Sequence, residues 1–217
     1  MCAYQRKDRV LTNYDEALVP VYDLPDPLTC LDGTPVTDGQ IWTSKRRGEI
    51  RQLFDEHVYG VMPSAYADMH FELLEEGSAL GGQAVRRQVA IRFGQNGPQM
   101  ELLVFLPADK NGPVPLFVGL NFQGNHSIHD DPAIRLSTGW MRDDDQGVVN
   151  NRSTEGARGV VRRRWAVEEI VARGYGVATA YCGDLDPDFD DGYANGVHPL
   201  FYKPDQTQPG DGDCGSI

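Results

Sequence analysis

The sequence predicts an α/β fold, and three observations carry that prediction. Two continuous apolar runs, residues 113–120 and 175–181, have the composition of strands buried on both faces. Between them lies a helical pattern at residues 163–173 (RRWAVEEIVAR), the order of a parallel βαβ crossover. Upstream, residues 85–93 and 100–106 are strand-like and are separated by the turn-forming GQNGP, which predicts an antiparallel hairpin.

Element by element, the first forty residues are rich in Pro, Gly and Asp (VYDLPDPLTCLDGTPVTDG), which predicts an extended arm, residues 1–40, ahead of a single domain over residues 41–217. Next, Ile50, Leu53, Phe54, His57 and Val58 fall on one helical face, with Ser44 as the expected N-cap and Gly60 as the stop. In the hairpin, Arg87, Val89, Ile91 and Phe93 alternate with Gln88, Ala90 and Arg92, whereas MELLVFL is apolar on both faces apart from Glu101. Residues 121–132 (NFQGNHSIHDDP) form a loop after the first parallel strand. The polar stretch 133–161, with its acidic cluster Asp143–Asp145, has no periodicity that assigns it an element. No internal repeat is present.

Composition narrows the function. With 32 acidic against 20 basic residues, net −12, the chain lacks the basic surface of a nucleic-acid binder. No run reaches the roughly 18 apolar residues of a membrane helix. The first residues, MCAYQRKDRVLTNYDE, have no apolar core of a secretory signal, so localisation stays undetermined. Cys2, Cys30, Cys182 and Cys214 show no C-x-x-C spacing, and no zinc site is expected from them.

Candidate chemistry is sparse. None of Ser44, Ser64, Ser78, Ser127, Ser137, Ser153 and Ser216 sits in a G-x-S-x-G turn, so no catalytic residue is assigned. His126, His129, Asp130 and Asp131 cluster in a loop but lack the third ligand of the usual zinc signatures. In the acidic stretch 184–192, an EF-hand register from Asp186 puts Asp191 where Gly is needed and Val197 where Glu is needed. No metal is therefore expected. GSALGGQ lacks a nucleotide-loop spacing, Trp140 and Trp165 could stack on a sugar, and Trp165 reads better as core. The loop after the first parallel strand has two readings, which stay open together. Asn121, Gly124 and Asn125 either line a substrate site near a reacting carbonyl, or tie a structural loop through Asn side chains.

Several motifs together resemble the glucuronoyl esterases: PLFVGLNFQGNH at 115–126, the run from RRWAVEEIVARGYGVATAYCGD through NGVHPLF at 163–201, NYDEALVPVYDLPDPL at 13–28, and W-x-x-x-RRGEIRQLFDEHVYG at 42–60. The resemblance covers nearly the whole chain in order. It implies an α/β-hydrolase fold, here partial, since the hairpin and βαβ run are its opening elements and the chain stops before a nucleophile elbow. It implies carboxylic ester hydrolysis of 4-O-methyl-glucuronoyl esters linking xylan and lignin, or of other glucuronate esters. It further implies a Ser/His/acid triad, an arginine beside the serine, no cofactor, and a secreted or periplasmic setting. The family's G-C-S-R-x-G-K motif has no counterpart in these residues, and Ser216 aligns with a helix position. The expectation is thus an N-terminal half without its triad. The alternatives are a catalytically dead carbohydrate-binding or interaction module, and one part of a split enzyme. In the fold's usual strand order, the strand at 115–120 is left at an open edge.

Overall fold

A computed structural model describes residues 13–210, 212 and 213. Cys2, Cys214 and Ser216 lie outside the described residues. The chain divides into two compact units, one up to Val58 and the other from Tyr59.

In the first unit, one helical run contains α1 (Gly39–Ile41), a π segment (Trp42–Arg46) and α2 (Arg47–Phe54), and a further π segment (Asp55–Tyr59) continues it. Its N-cap is Asp38, not the expected Ser44. The Asp38 carboxylate accepts the N–H groups of Gln40 and Ile41, both at 2.9 Å, which satisfies two orphan donors of the first turn. Ser44 lies inside the run because the apolar period at Ile50–Val58 shows only its later turns. Gly60, at φ +73°, ends the run as expected. The arm before the helix is exposed through most of residues 13–28, but residues 26–36 turn back onto it. Buried Arg46 donates to the Pro27 and Asp26 carbonyls and to Glu49, and Cys30 is buried.

The second unit is built on a five-stranded mixed sheet. Its strands are β1 (Met69–Ala79), β2 (Ala84–Phe93), β3 (Gln99–Pro107) and β4 (Leu116–Asn121), and later β7 (Gly176–Tyr181). The small hairpin β5 (Val148–Val149) and β6 (Arg152–Ser153) stands apart. The order in the main sheet is β1-β2-β3-β7-β4. The β2–β3 hairpin is antiparallel, and β4 and β7 pair in parallel with Phe117 opposite Val177 and Gly119 opposite Thr179. Both pairings match the sequence expectation, and together they are a partial α/β-hydrolase-like sheet. β1 was not expected. Its Met69, Phe71 and Leu73 alternate, but an irregularity between Leu73 and Glu75 breaks the period, and its Glu and Leu residues suit a helix equally well.

The crossover differs from the single helix expected over 163–173. It is two pieces, α3 (Arg162–Trp165) and α4 (Val167–Ala172), broken at Ala166 with φ +40°. No Gly or Pro announces that break. It lets Trp165 reach β4, where its ring lies 3.3 Å from the place a Cβ on Gly119 would take, while Val167 and Val171 enter the core. α4 ends in a Schellman motif. Gly174, at φ +83°, donates to the Val171 carbonyl, and Tyr175 donates to that of Ile170.

The core joins Leu103 and Phe105 of β3 to Val167 and Val171 of α4 and to Ile128 and Ile134 of the long loop. That loop is pinned to the sheet by buried Arg86, which bonds Glu75 and Asp131, and by Gln88, which bonds Glu75 and the Ala133 carbonyl. Within the unassigned stretch, Asn150 and Asn151 both take left-handed conformations (φ +53° and +58°) and form the tight turn of the β5–β6 hairpin. Asp143 and Asp144 accept backbone N–H groups around it, so the acidic cluster is local scaffolding.

The two ends of this packing give contrasting expectations. Leu103→Ala, in a site with no exposure, should cost about 2–5 kcal/mol through lost burial and a cavity. Val118→Ala in β4, where Val118 is 75% exposed, should cost under about 0.5 kcal/mol. Urea titration of both variants measures this, and comparable losses would refute the assignment of core and edge.

Candidate functional site

Loops at the carboxyl ends of parallel strands are where α/β sheets place their ligand crevices, and two such loops meet here. The first begins at Asn121, the last residue of β4. Its side-chain Nδ2 donates to Asn125 Oδ1 (2.7 Å) and Thr179 Oγ1 (3.0 Å), and Asn125 Nδ2 donates to the Glu101 carbonyl (2.7 Å). The loop is thereby tied to both β7 and β3. Gly124 has φ +83°, and a Cβ there would fall 2.6 Å from His126 Cε1 and from Met141 Cε, so this position demands glycine. Its carbonyl accepts both the N–H and the hydroxyl of Ser127.

All three expected site residues are thus brought together, and all are buried; Phe122 is exposed and Gln123 partly so. The inward hydrogen bonds of Asn121 and Asn125 give the loop its shape. Asn121 Oδ1 has no partner despite its burial.

His126 is fully buried, and burial together with the nearby Arg158 pushes its pKa down to about 4. Its Nδ1 faces the Ser137 N–H at 3.5 Å, and its Nε2 is unpartnered. His129 accepts the Asp131 N–H at Nδ1 (3.0 Å) and sets Nε2 3.4 Å from Glu168. The two histidines therefore serve separate surroundings and do not converge on one point.

The second loop follows β7 and brings in Asp184, which was not singled out from the sequence. Its Oδ2 accepts the Glu101 N–H at 3.1 Å, while burial and the nearby Glu101 charge raise its pKa to about 6. Asp184, Glu101, Asn125, Arg135, Ser137 and Tyr181 border a crevice of about 80 Å³. Arg135 pairs with Glu101 at 3.2 Å, and Tyr181, its phenol pushed up by burial, donates to the Trp140 carbonyl at 2.8 Å. The signal for Asp184 was its place as the first acid after the second parallel strand. Of the other carboxylates in the 184–192 stretch, Asp191 accepts from Asn195 and Asp188 pairs with Arg142.

A larger cavity, about 670 Å³, lies between the β3–β4 loop and the end of α4, with Asp109, Lys110 and Arg173 on its wall. It has no Ser, Cys or His on its wall and stands at the opposite end of the strands, so the smaller crevice is the better candidate. Cys30, Asp32 and Glu49 are the group of three potential metal ligands among the described residues. Both carboxylates are already engaged by cations, Asp32 by Lys45 and Glu49 by Arg46.

Asp184 and His126 give opposite linkages to pH. An unfolded Asp ionises near 3.8 and the folded Asp184 near 6, so its stabilising contribution is full below 3.8 and is lost as pH rises through 6. An unfolded His titrates near 6.5 and the folded His126 near 4, so its contribution is present above 6.5 and is lost as pH falls through 4. Asp184→Asn should therefore gain stability relative to the parent as pH rises from about 4 to 6, by on the order of 2–3 kcal/mol. Urea melts at three pH values test this, and parallel curves for the two proteins would refute it.

No protein-family model matches the chain. It is 49% identical over 208 residues to a carbohydrate esterase from an unknown prokaryotic organism, covering 94% of this chain and 48% of that protein. Among solved structures, a promiscuous CE15 esterase from a marine bacterial metagenome is 48% identical with a TM-score of 0.77, the match covering 94% of this chain and 51% of that one. A glucuronoyl esterase from Solibacter usitatus is 42% identical with a TM-score of 0.81, covering 92% and 51%. The chain spans about half the length of these relatives. By sequence and by fold it is similar to the glucuronoyl esterases among the carbohydrate esterases, fitting the N-terminal half of their α/β-hydrolase-like domain.

Proposed function

We propose that this chain is the scaffold half of a glucuronoyl esterase for 4-O-methyl-glucuronoyl esters between xylan and lignin, and that it is inactive alone. One observation carries the reading: the loop Asn121–Asn125 follows β4 directly, and β4 is the open edge of the sheet. An elbow bearing a nucleophile on a strand added at that edge would stand beside this loop. Ester hydrolysis passes through a tetrahedral oxyanion, and rigid backbone N–H groups are the cheapest way to stabilise it. In this reading Asn121 and Asn125 hold the backbone still, and Gly124 permits the turn that brings it near the carbonyl. The three residues together form the floor of the substrate site.

The nucleophile half of the chemistry has no support in the described residues. Among them, no serine hydroxyl is hydrogen-bonded to a histidine: Ser127 Oγ bonds the Gly124 carbonyl and Ser153 Oγ the Ser137 carbonyl. Oxyanion stabilisation can leave residual catalysis when a triad is deleted, but only in a site that is otherwise formed.

The purified chain should therefore hydrolyse benzyl glucuronate no faster than buffer. A stopped assay with chromatographic detection of benzyl alcohol reads this directly. Turnover that Ser216→Ala abolishes would overturn the inactivity and identify a nucleophile in the tail. Turnover that survives Ser216→Ala would equally overturn it, and point to another site.

A further inference from the structure

The loops after β4 and β7 are joined through the backbone of one residue that belongs to neither. β3 pairs with β7 as far as Leu102, opposite Ala180, and Glu101 is the next residue of β3, beyond that ladder. Side chains take the backbone groups it turns to that side. Its N–H donates to Asp184 Oδ2 at 3.1 Å, and its carbonyl accepts Asn125 Nδ2 at 2.7 Å. The Glu101 carboxylate meets Arg135 of the long loop at 3.2 Å. Three segments therefore take their places from one residue of the sheet.

Asp184 makes its tie where a charge is disfavoured. It is partly buried, and the long loop closes over it, since a Cβ on Gly139 would lie 3.3 Å from Asp184 Oδ1. From β3 it faces the like charge of Glu101, and burial together with that charge raises its pKa to about 6. Tyr181 at the end of β7 and Cys182 beside it keep their protons, both pushed up by burial, and add no charge. Asp188, further along the loop, pairs with Arg142. Arg135 is half exposed and engaged with Glu101, and among the described residues no cation pairs with Asp184. Gln99, Asn125, Ser137 and Thr138 complete the surroundings and are neutral.

A carboxyl group that binds its proton more tightly in the tied arrangement than in water favours release when that proton leaves. As a neutral acid, Asp184 accepts the Glu101 N–H without placing a charge in the crevice. Ionised, it is better solvated outside, and its bond to Glu101 opens. The same Glu101 backbone holds Asn125, whose Oδ1 receives Asn121, so the change reaches the loop after β4.

We propose that Asp184 is a proton-operated positioning residue: acting through the Glu101 backbone, it holds the loops after β4 and β7 together as a neutral acid and loosens them when it ionises. The first of these loops is the one read above as the floor of the substrate site, and the device holds or fails whatever that site takes.

Amide exchange of the whole chain, followed by NMR from about pH 4.5 to 7.5, tests this. Rates are expressed as protection factors, so that the intrinsic pH dependence of exchange cancels. Protection of the Glu101 N–H, and of the Ser127 N–H that bonds Gly124, should fall at least about fivefold as pH rises through about 6, within the roughly hundredfold that linkage between 3.8 and 6 allows. Asp184→Asn keeps an acceptor oxygen without a charge, and its protection should stay at the parent's low-pH level throughout. Asp184→Leu removes the acceptor and should lower protection of both amides at every pH. Neither change touches His126, His129 or His198, so a profile that persists in Asp184→Asn belongs to a histidine and overturns the proposal. A flat profile in the parent overturns it too, as does a Ser127 amide indifferent to Asp184→Leu. Circular dichroism verifies each fold, and if Asp184→Leu does not fold, Asp184→Asn decides. If neither folds, Glu101→Gln decides: removing the facing charge must lower the midpoint, or the proposal fails. No activity is measured, so failure here is distinct from failure of the substrate reading.

Discussion

The parallel pairing of β4 with β7 positions the candidate site. It brings the carboxyl ends of two strands together, so that the loops beginning at Asn121 and Cys182 converge. It also places Thr179 where its hydroxyl can receive Asn121, which couples loop shape to strand register. A one-residue slip would turn every side chain of β4 to the other face and separate Asn121 from Thr179. The register is held by α3 and α4, whose Trp165 closes over Gly119 while Val167 and Val171 anchor the crossover in the core.

Around that pairing, polar groups are buried in order to position backbone. Asn121, Asn125 and Thr179 form one connected set, and Arg86, Gln88, Glu75 and Asp131 form another on β1, β2 and the long loop. Removing one member of a buried charged set leaves its partners desolvated without compensation, which costs more than the intact set contributes. Such sets specify geometry better than they raise stability. These bonds tie the loop after β4 to β7 and β3, which is what the proposed site for transient charge requires.

The two edges of the same sheet differ in character. Its far edge, β1, carries cross-strand pairs between Glu76 and Arg87 and between Glu72 and Arg92, while β4 carries none. That asymmetry separates a charged edge from an apolar one, β4, whose Phe117 and Val118 are exposed. It connects the fold to the proposed function, because the position beside β4 is also the position beside the loop that would face the reacting carbonyl.

By itself the sequence determined the α/β class, the β2–β3 hairpin and the parallel strands, because continuous apolar runs and a Gly-Pro turn are local signals, whereas the open edge at 115–120 followed from the strand order that the resemblance implies. Gly60 and Gly124 were also legible, since glycine marks backbone that other residues resist. Only the tertiary structure decided the rest. β1 depends on pairing with β2 across an irregularity, and the kink at Ala166 depends on Trp165 reaching Gly119; neither is written in periodicity. Asp184 and His126 acquire their shifted titrations from burial and from Glu101 and Arg158, which are distant in sequence. Desolvation is a property of the assembled neighbourhood, and a linear pattern of residues does not contain it.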